Sequence, residues 1–143
     1  MTFTYSGLDE VNVAAGKLIE HCSEYDIWIF QGQMGAGKTT LIKSICRQMG
    51  VADNVSSPTF SLLNVYQTEK AEEMYHFDFY RIKDEMEAVD IGCDEYFYSG
   101  NHCFIEWPEK IPSLIPDRFT KISINLGKEN EREISITRHD GSI

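Results

Sequence analysis

The stretch Ile29-Phe-Gln-Gly-Gln-Met-Gly-Ala-Gly-Lys-Thr-Thr-Leu41 has the spacing G-x-x-x-x-G-K-[ST], with Gly32, Gly37, Lys38 and Thr39 at the defining positions. Glycines at such a turn remove side chains, so backbone N–H groups can face phosphate oxygens while the dipole of the following helix adds to the field. The expected phosphate cradle is Gly32, Gln33, Met34, Gly35, Ala36, Gly37, Lys38, Thr39 and Thr40. Within it the Lys38 ammonium reaches the β- and γ-phosphates, and the Thr39 hydroxyl ligates magnesium. Such a motif decides the fold only if a strand precedes it and a helix follows.

Both conditions are met. Ile27 to Phe30 is a short apolar run between Asp26 and Gly32, the pattern of a buried parallel strand. Lys38 to Met49 lacks Gly and Pro, carries Leu41, Ile42, Ile45 and Met49 along one side, and stops at Gly50. Upstream, Thr2 to Tyr5 alternates like an edge strand. Ser6 then caps a helix with Asp9 near its positive end, and Leu8, Val11, Ala14, Ala15, Leu18, Ile19 and Cys22 form the apolar face. Downstream, Val51 to Pro58 reads as a loop, and Phe60 to Tyr66 and Met74 to Tyr80 as a hairpin joined by Thr68 to Glu73. Asp84 to Val89 predicts a helix, interrupted at Gly92, with a further turn or two over Asp94 to Tyr98. His102 to Ile105 is a strand that ends before Pro108, and Thr120 to Leu126 with Glu133 to Arg138 forms a terminal hairpin. The sum is an α/β chain, a P-loop NTPase-like three-layer sandwich with a mixed, largely parallel central sheet and antiparallel hairpin additions.

The 143 residues suit one domain, and 42% hydrophobic with 25% charged residues is ordinary for a globular chain. Cys22, Cys46, Cys93 and Cys103 form no C-x-x-C pair, which predicts buried free thiols rather than zinc or redox chemistry. The four histidines show no ligand spacing, so each is expected in a structural role. Met1-Thr-Phe-Thr-Tyr5 lacks the layout of a secretory signal and no apolar run spans a bilayer, so the expectation is a cytoplasmic chain without membrane contact. A formal net charge of -10 opposes a phosphate backbone, which argues against a broad RNA-binding surface. Any RNA involvement is therefore expected to run through a partner.

Nucleotide hydrolysis also needs an acid at a neighbouring strand end for the magnesium shell and a group that orients the attacking water. Asp78 and Glu106 each follow an apolar run. Asp78 is assigned to magnesium and Glu106 to water or general-base duty, although the spacing admits either order. Thr59, in the loop after the phosphate-facing helix, is the candidate for sensing the terminal phosphate. Trp107, beside Glu106, either lies over the adenine or packs in the core, and composition alone favours the core.

Gly32-Gln-Met-Gly-Ala-Gly-Lys-Thr39, Ser57-Pro-Thr-Phe60, His76-Phe-Asp-Phe-Tyr-Arg81, Ile91-Gly-Cys-Asp-Glu-Tyr96 and Ile105-Glu-Trp-Pro-Glu109, in this order, resemble the bacterial TsaE (YjeE/YdiB) family. The resemblance spans nearly the whole chain. It implies a magnesium-dependent ATPase that acts with TsaB and TsaD in forming N6-threonylcarbamoyladenosine on tRNA and resets that pair between cycles. By the same resemblance Lys38 and Thr39 serve phosphates and magnesium, Thr59 lies in a switch-like loop, Asp78 and Glu106 are the functional acids, and Trp107 neighbours adenine. Ser61 departs from the threonine of many relatives but keeps a hydroxyl. Two rivals share the phosphate loop. A small-molecule kinase would want a lid carrying arginines, and Arg47, Arg81, Arg118, Arg132 and Arg138 are scattered; a nucleotide-gated binding module would need no turnover. A GTPase would carry N-K-x-D, which does not occur.

Overall fold

The computed structural model describes residues 1–33, 35–51 and 62–141. Thr59 and Met34, both candidate site residues, lie outside them, as do Phe60 and the rest of the loop assigned to the switch. The elements run β1 (Thr2–Ser6), α1 (Gly7–Cys22), β2 (Ile27–Gln31), α2 (Lys38–Gln48), β3 (Leu63–Gln67), β4 (Glu73–Asp78), α3 (Met86–Asp90), α4 (Cys93–Phe97), β5 (Cys103–Glu106), β6 (Arg118–Leu126) and β7 (Glu131–Asp140). A 3-10 turn over Pro108–Lys110 follows β5.

The seven strands of the described residues form one sheet in the order β1-β7-β6-β2-β5-β4-β3. Its middle is parallel, β6 with β2, β2 with β5 and β5 with β4. Antiparallel β3 closes one side, and β7 with β1 the other. The expected mixed, largely parallel α/β sheet and both hairpins are therefore present.

Strand alternation sorts the core into two layers. Trp28, Phe30, Phe104 and Ile122 face α1 and α2, where they meet Leu18, Leu41 and Ile45. Their odd-numbered neighbours Ile27, Ile29, Phe77, Cys103 and Ile105 face the opposite side, covered by Ala88, Cys93, Phe97 and Ile111. Helix α1 is fastened to α2 by polar contacts as well: Ser44 Oγ bonds Asn12 Oδ1 at 2.5 Å, and the Gln48 amide donates to the Asn12 carbonyl at 2.8 Å.

Two local readings are corrected. Ser6 occupies the N-cap of α1 without a side-chain cap; its backbone N–H instead donates to Glu10 Oε1 at 2.7 Å. Leu8, assigned to the apolar face of α1, is 75% exposed, at the edge of an open cleft that Thr40 of α2 also lines. Cys22, Cys46, Cys93 and Cys103 are buried free thiols, and no described helix is long and apolar enough to cross a membrane.

Candidate nucleotide site

Three neighbouring parallel strands deliver the site at their carboxyl ends, the place where open α/β sheets hold ligands. β2 leads into the glycine loop, β5 ends at Glu106, and β4 ends at Asp78, with Asp78 and Glu106 opposite one another in the ladder. Alternation turns His76, Asp78 and Glu106 to the side occupied by α2, whose first residues are Lys38 and Thr39. A sheet and a helix are thus enough to converge a cation, a hydroxyl and two acids.

The loop before α2 needs its glycines. A Cβ at Gly32 would meet the Ile124 carbonyl oxygen at 2.7 Å and Ala36 Cβ at 3.3 Å, so only hydrogen fits between the loop and β6. Gly35 and Gly37 adopt positive φ of 83° and 101°, a region that L side chains disfavour. The residues present therefore fit a bound polyphosphate, with a tight turn immediately before a helix N-terminus. Met34 aside, the candidate cradle residues, Gln33, Ala36 and Thr40 included, line this turn or the start of α2.

Lys38 is a buried cation. Its Nζ donates to the Gly32 carbonyl at 2.6 Å and sits 3.8 Å from the centroid of the Trp107 ring. Burial lowers the Lys38 ammonium from its ordinary value, partly offset by the negative charges of Glu106, Glu109 and Asp78. A cation short of water in this way gains from an arriving anionic oxygen.

Glu106 is only 2% exposed, and both its oxygens are engaged. Thr39 Oγ1 donates to Oε1 at 3.3 Å, and His76 Nε2 lies 2.7 Å from Oε2. A carboxylate accepts, so Nε2 donates, and Nδ1 on the other side of the ring lies 3.2 Å from the Tyr66 hydroxyl. Asp78 is half-buried, and its Oδ1 accepts the Tyr80 N–H at 3.0 Å. Trp107 has a left-handed backbone, φ 59° and ψ 51°, as the chain leaves β5 for the Pro108 turn. That conformation sets its indole between Lys38 and the Tyr80 ring, whose centroid is 5.0 Å away. Trp107 is partly buried at the edge of a core layer and also lines the site.

Lys38, Thr39, Asp78, Tyr80, Glu106 and Trp107 line a cleft of about 330 Å³. A larger open groove of about 530 Å³ runs beside Phe119 and His139 but touches none of the phosphate-loop residues, so the chemistry favours the smaller cleft. No cluster of three His, Cys, Asp or Glu able to hold a metal occurs among the described residues. A magnesium ion here would instead be shared between the Thr39 hydroxyl, an acid and phosphate oxygens, the usual habit of this ion.

A protein-family model described as threonylcarbamoyl adenosine biosynthesis protein TsaE matches residues 6–134. The chain belongs to the TsaE family. Proteins named tRNA threonylcarbamoyladenosine biosynthesis protein TsaE are similar to it. The one from Bacillus subtilis is 38% identical over 112 residues, 78% of this chain and 69% of that protein. The one from Treponema pallidum is 35% identical, covering 85% of this chain and 86% of that protein. The one from Rickettsia prowazekii is 36% identical across 96% of this chain and 94% of that protein. Among solved structures, the crystal structure of Bacillus subtilis YdiB matches with a TM-score of 0.78 and 26% identity, covering 97% of this chain and 85% of that one.

In this TsaE family member the site includes two residues that sequence reasoning passed over. His76 was expected to be merely structural, and Tyr66 was read only as the end of a strand. The available signal was period-two alternation: in β4 His76 and Asp78 are two apart and share a face. What alternation lacks is the neighbour, since only the β4–β5 register sets His76 beside the strand that carries Glu106.

Proposed function

We propose that this chain is a magnesium-dependent ATPase, weak alone, that works in the cytoplasm with TsaB and TsaD in forming N6-threonylcarbamoyladenosine on tRNA. The observation that carries the ATPase reading is the Thr39–Glu106 contact at the mouth of the glycine loop, with Lys38 poised over Trp107 in the same cleft. Membership of a family named for threonylcarbamoyl adenosine biosynthesis supports the biological task.

Backbone N–H groups of the loop bind phosphate oxygens, and Lys38 exchanges its contact with the Gly32 carbonyl for the β- and γ-phosphates. Bound magnesium supplies neutralisation of the charge that develops on the transferring phosphoryl group. Thr39 and Glu106, in contact with each other, would hold the ion together. This favours Glu106 as the magnesium-side acid and Asp78 as the group nearer the attacking water, the reverse of the order first assigned from sequence. His76 and Tyr66 hold the Glu106 carboxylate in place by a hydrogen-bonded chain reaching into the sheet. The net charge of -10 agrees with tRNA being held by the partners rather than by this chain.

Reconstitution tests the reading. Threonylcarbamoylation of tRNA is followed with TsaB and TsaD, with and without this protein, while ATP hydrolysis is measured in parallel. Repeated turnover only in its presence, accompanied by its ATP hydrolysis, is the expected result. Equal turnover without it, or turnover with the nucleotide left intact, overturns the proposal.

A further inference from the structure

On the face of the sheet opposite α1 and α2, the open groove of about 530 Å³ lies between the segment 108–116 and the hairpin of β6 and β7. Its size is that of an ordinary ligand pocket. Register explains one wall. Phe119 and His139 are opposite one another in the β6–β7 ladder, and their rings stack with centroids 4.6 Å apart and planes 15° from parallel. Pro108, Pro112 and Pro116 form the other wall. Three exposed acids, Glu109, Asp117 and Asp140, line the space as well. Arg138 is the one arginine or lysine among the described lining residues, and its charge is engaged elsewhere: it pairs with Glu24 at 3.3 Å and donates to the His21 carbonyl at the end of α1.

These walls select by chemistry. Proline has no N–H, so its side of the groove presents pyrrolidine rings and acceptors. Carboxylates likewise only accept. An arginine side chain suits each feature at once. Its alkyl stem packs on the rings of the prolines, its planar guanidinium lies on an aromatic face, and its fork of N–H donors matches a carboxylate. A lysine offers the charge without the plane. RNA is repelled by the same acids, and a second copy of this chain brings its own net charge of -10. Glu109 is also one of the negative charges that act on Lys38, so a cation seated here adjoins the nucleotide cleft.

We propose that this groove docks an extended, arginine-bearing segment of a partner protein, with guanidinium groups held between the Phe119–His139 ring pair and the carboxylates of Glu109 and Asp117. The assignment goes beyond the nucleotide reading and stands without it. The full-length chain, labelled with ¹⁵N, is titrated with the peptide acetyl-Ala-Arg-Ala-Arg-Ala-Arg-Ala-amide and with counterparts in which lysine or citrulline replaces arginine. Amide shifts are expected to concentrate at Glu109, Asp117, Phe119 and His139, with the arginine peptide binding several-fold tighter than the lysine one and the citrulline peptide not binding. Shifts centred on the acids of α3, equal affinity for the lysine peptide, or no binding of the arginine peptide at about 1 mM overturns the proposal. Glu109→Gln combined with Asp117→Asn, both exposed, is expected to weaken the arginine peptide about tenfold. Asp90→Asn with Asp94→Asn, the same charge change on α3 and α4, is expected to weaken it less than about twofold. Equal losses in the two pairs reduce the binding to overall charge and overturn the groove as a site.

Discussion

At the scale of single residues, Glu106 ties together three side chains of the site. It is buried, bonded on one oxygen by Thr39 and on the other by His76, and it belongs to the electrostatic surroundings of Lys38. Glu106→Gln keeps the shape and an oxygen able to accept from His76, but removes the charge. The thermal midpoint should therefore stay close to that of the wild type, while turnover in the reconstituted system falls by about 10²-fold or more. Steady-state hydrolysis beside an ADP titration checks this, and wild-type turnover would remove the carboxylate from the chemistry. Asp78, Glu106 and the phosphate loop were legible in the sequence because each follows an apolar run or fits a fixed spacing. His76 was not, because a histidine inside a mostly apolar strand carries no mark of the side chain it will meet.

At the scale of elements, glycines separate two kinds of constraint. Gly92 starts α4 with φ 78°, and a Cβ there would meet nothing within 4 Å, so Gly92→Ala costs only the left-handed backbone, about 1–2 kcal/mol. That corresponds to a fall of several degrees in thermal midpoint, with ADP affinity unchanged. At Gly32 the added methyl would press on the Ile124 carbonyl at 2.7 Å, forcing the phosphate loop away from β6. Gly32→Ala should consequently lose ADP affinity as well as stability, and thermal scans with and without ADP separate the two effects. A Gly32→Ala chain that ADP still stabilises normally would contradict the close packing. The same scale explains the misplaced Leu8. Periodicity finds the stripe of a helix correctly, yet cannot tell where along its length that stripe is covered, and Leu8 in the first turn of α1 stands at an open cleft.

For the whole molecule, the sheet divides two cores, each holding a pair of thiols: Cys22 and Cys46 on the side of α1 and α2, Cys93 and Cys103 on the other. Burial pushes Cys46 and Cys103 up to about 12, and Cys22 and Cys93 up to about 11, from an ordinary 9.0. The folded chain thus keeps protons that the unfolded chain releases, so stability is unaffected by the thiols below pH 9.0 and falls as pH rises from there toward 11–12. At pH 8 a thiol reagent should label the native protein slowly at all four sites and the denatured protein rapidly at all four. Rapid labelling of one native pair would show that its side of the sheet is open. The sequence by itself determined the phosphate loop, the α/β alternation and both hairpins, because short-range physics governs them: glycine conformation, helix and strand periodicity, and turn residues. Only the tertiary structure decided that β5 enters between β2 and β4, that His76 and Tyr66 support Glu106, and that Trp107 meets Lys38. Those outcomes depend on register between strands distant in sequence, which is settled by how both faces of the sheet are buried together rather than by any local preference.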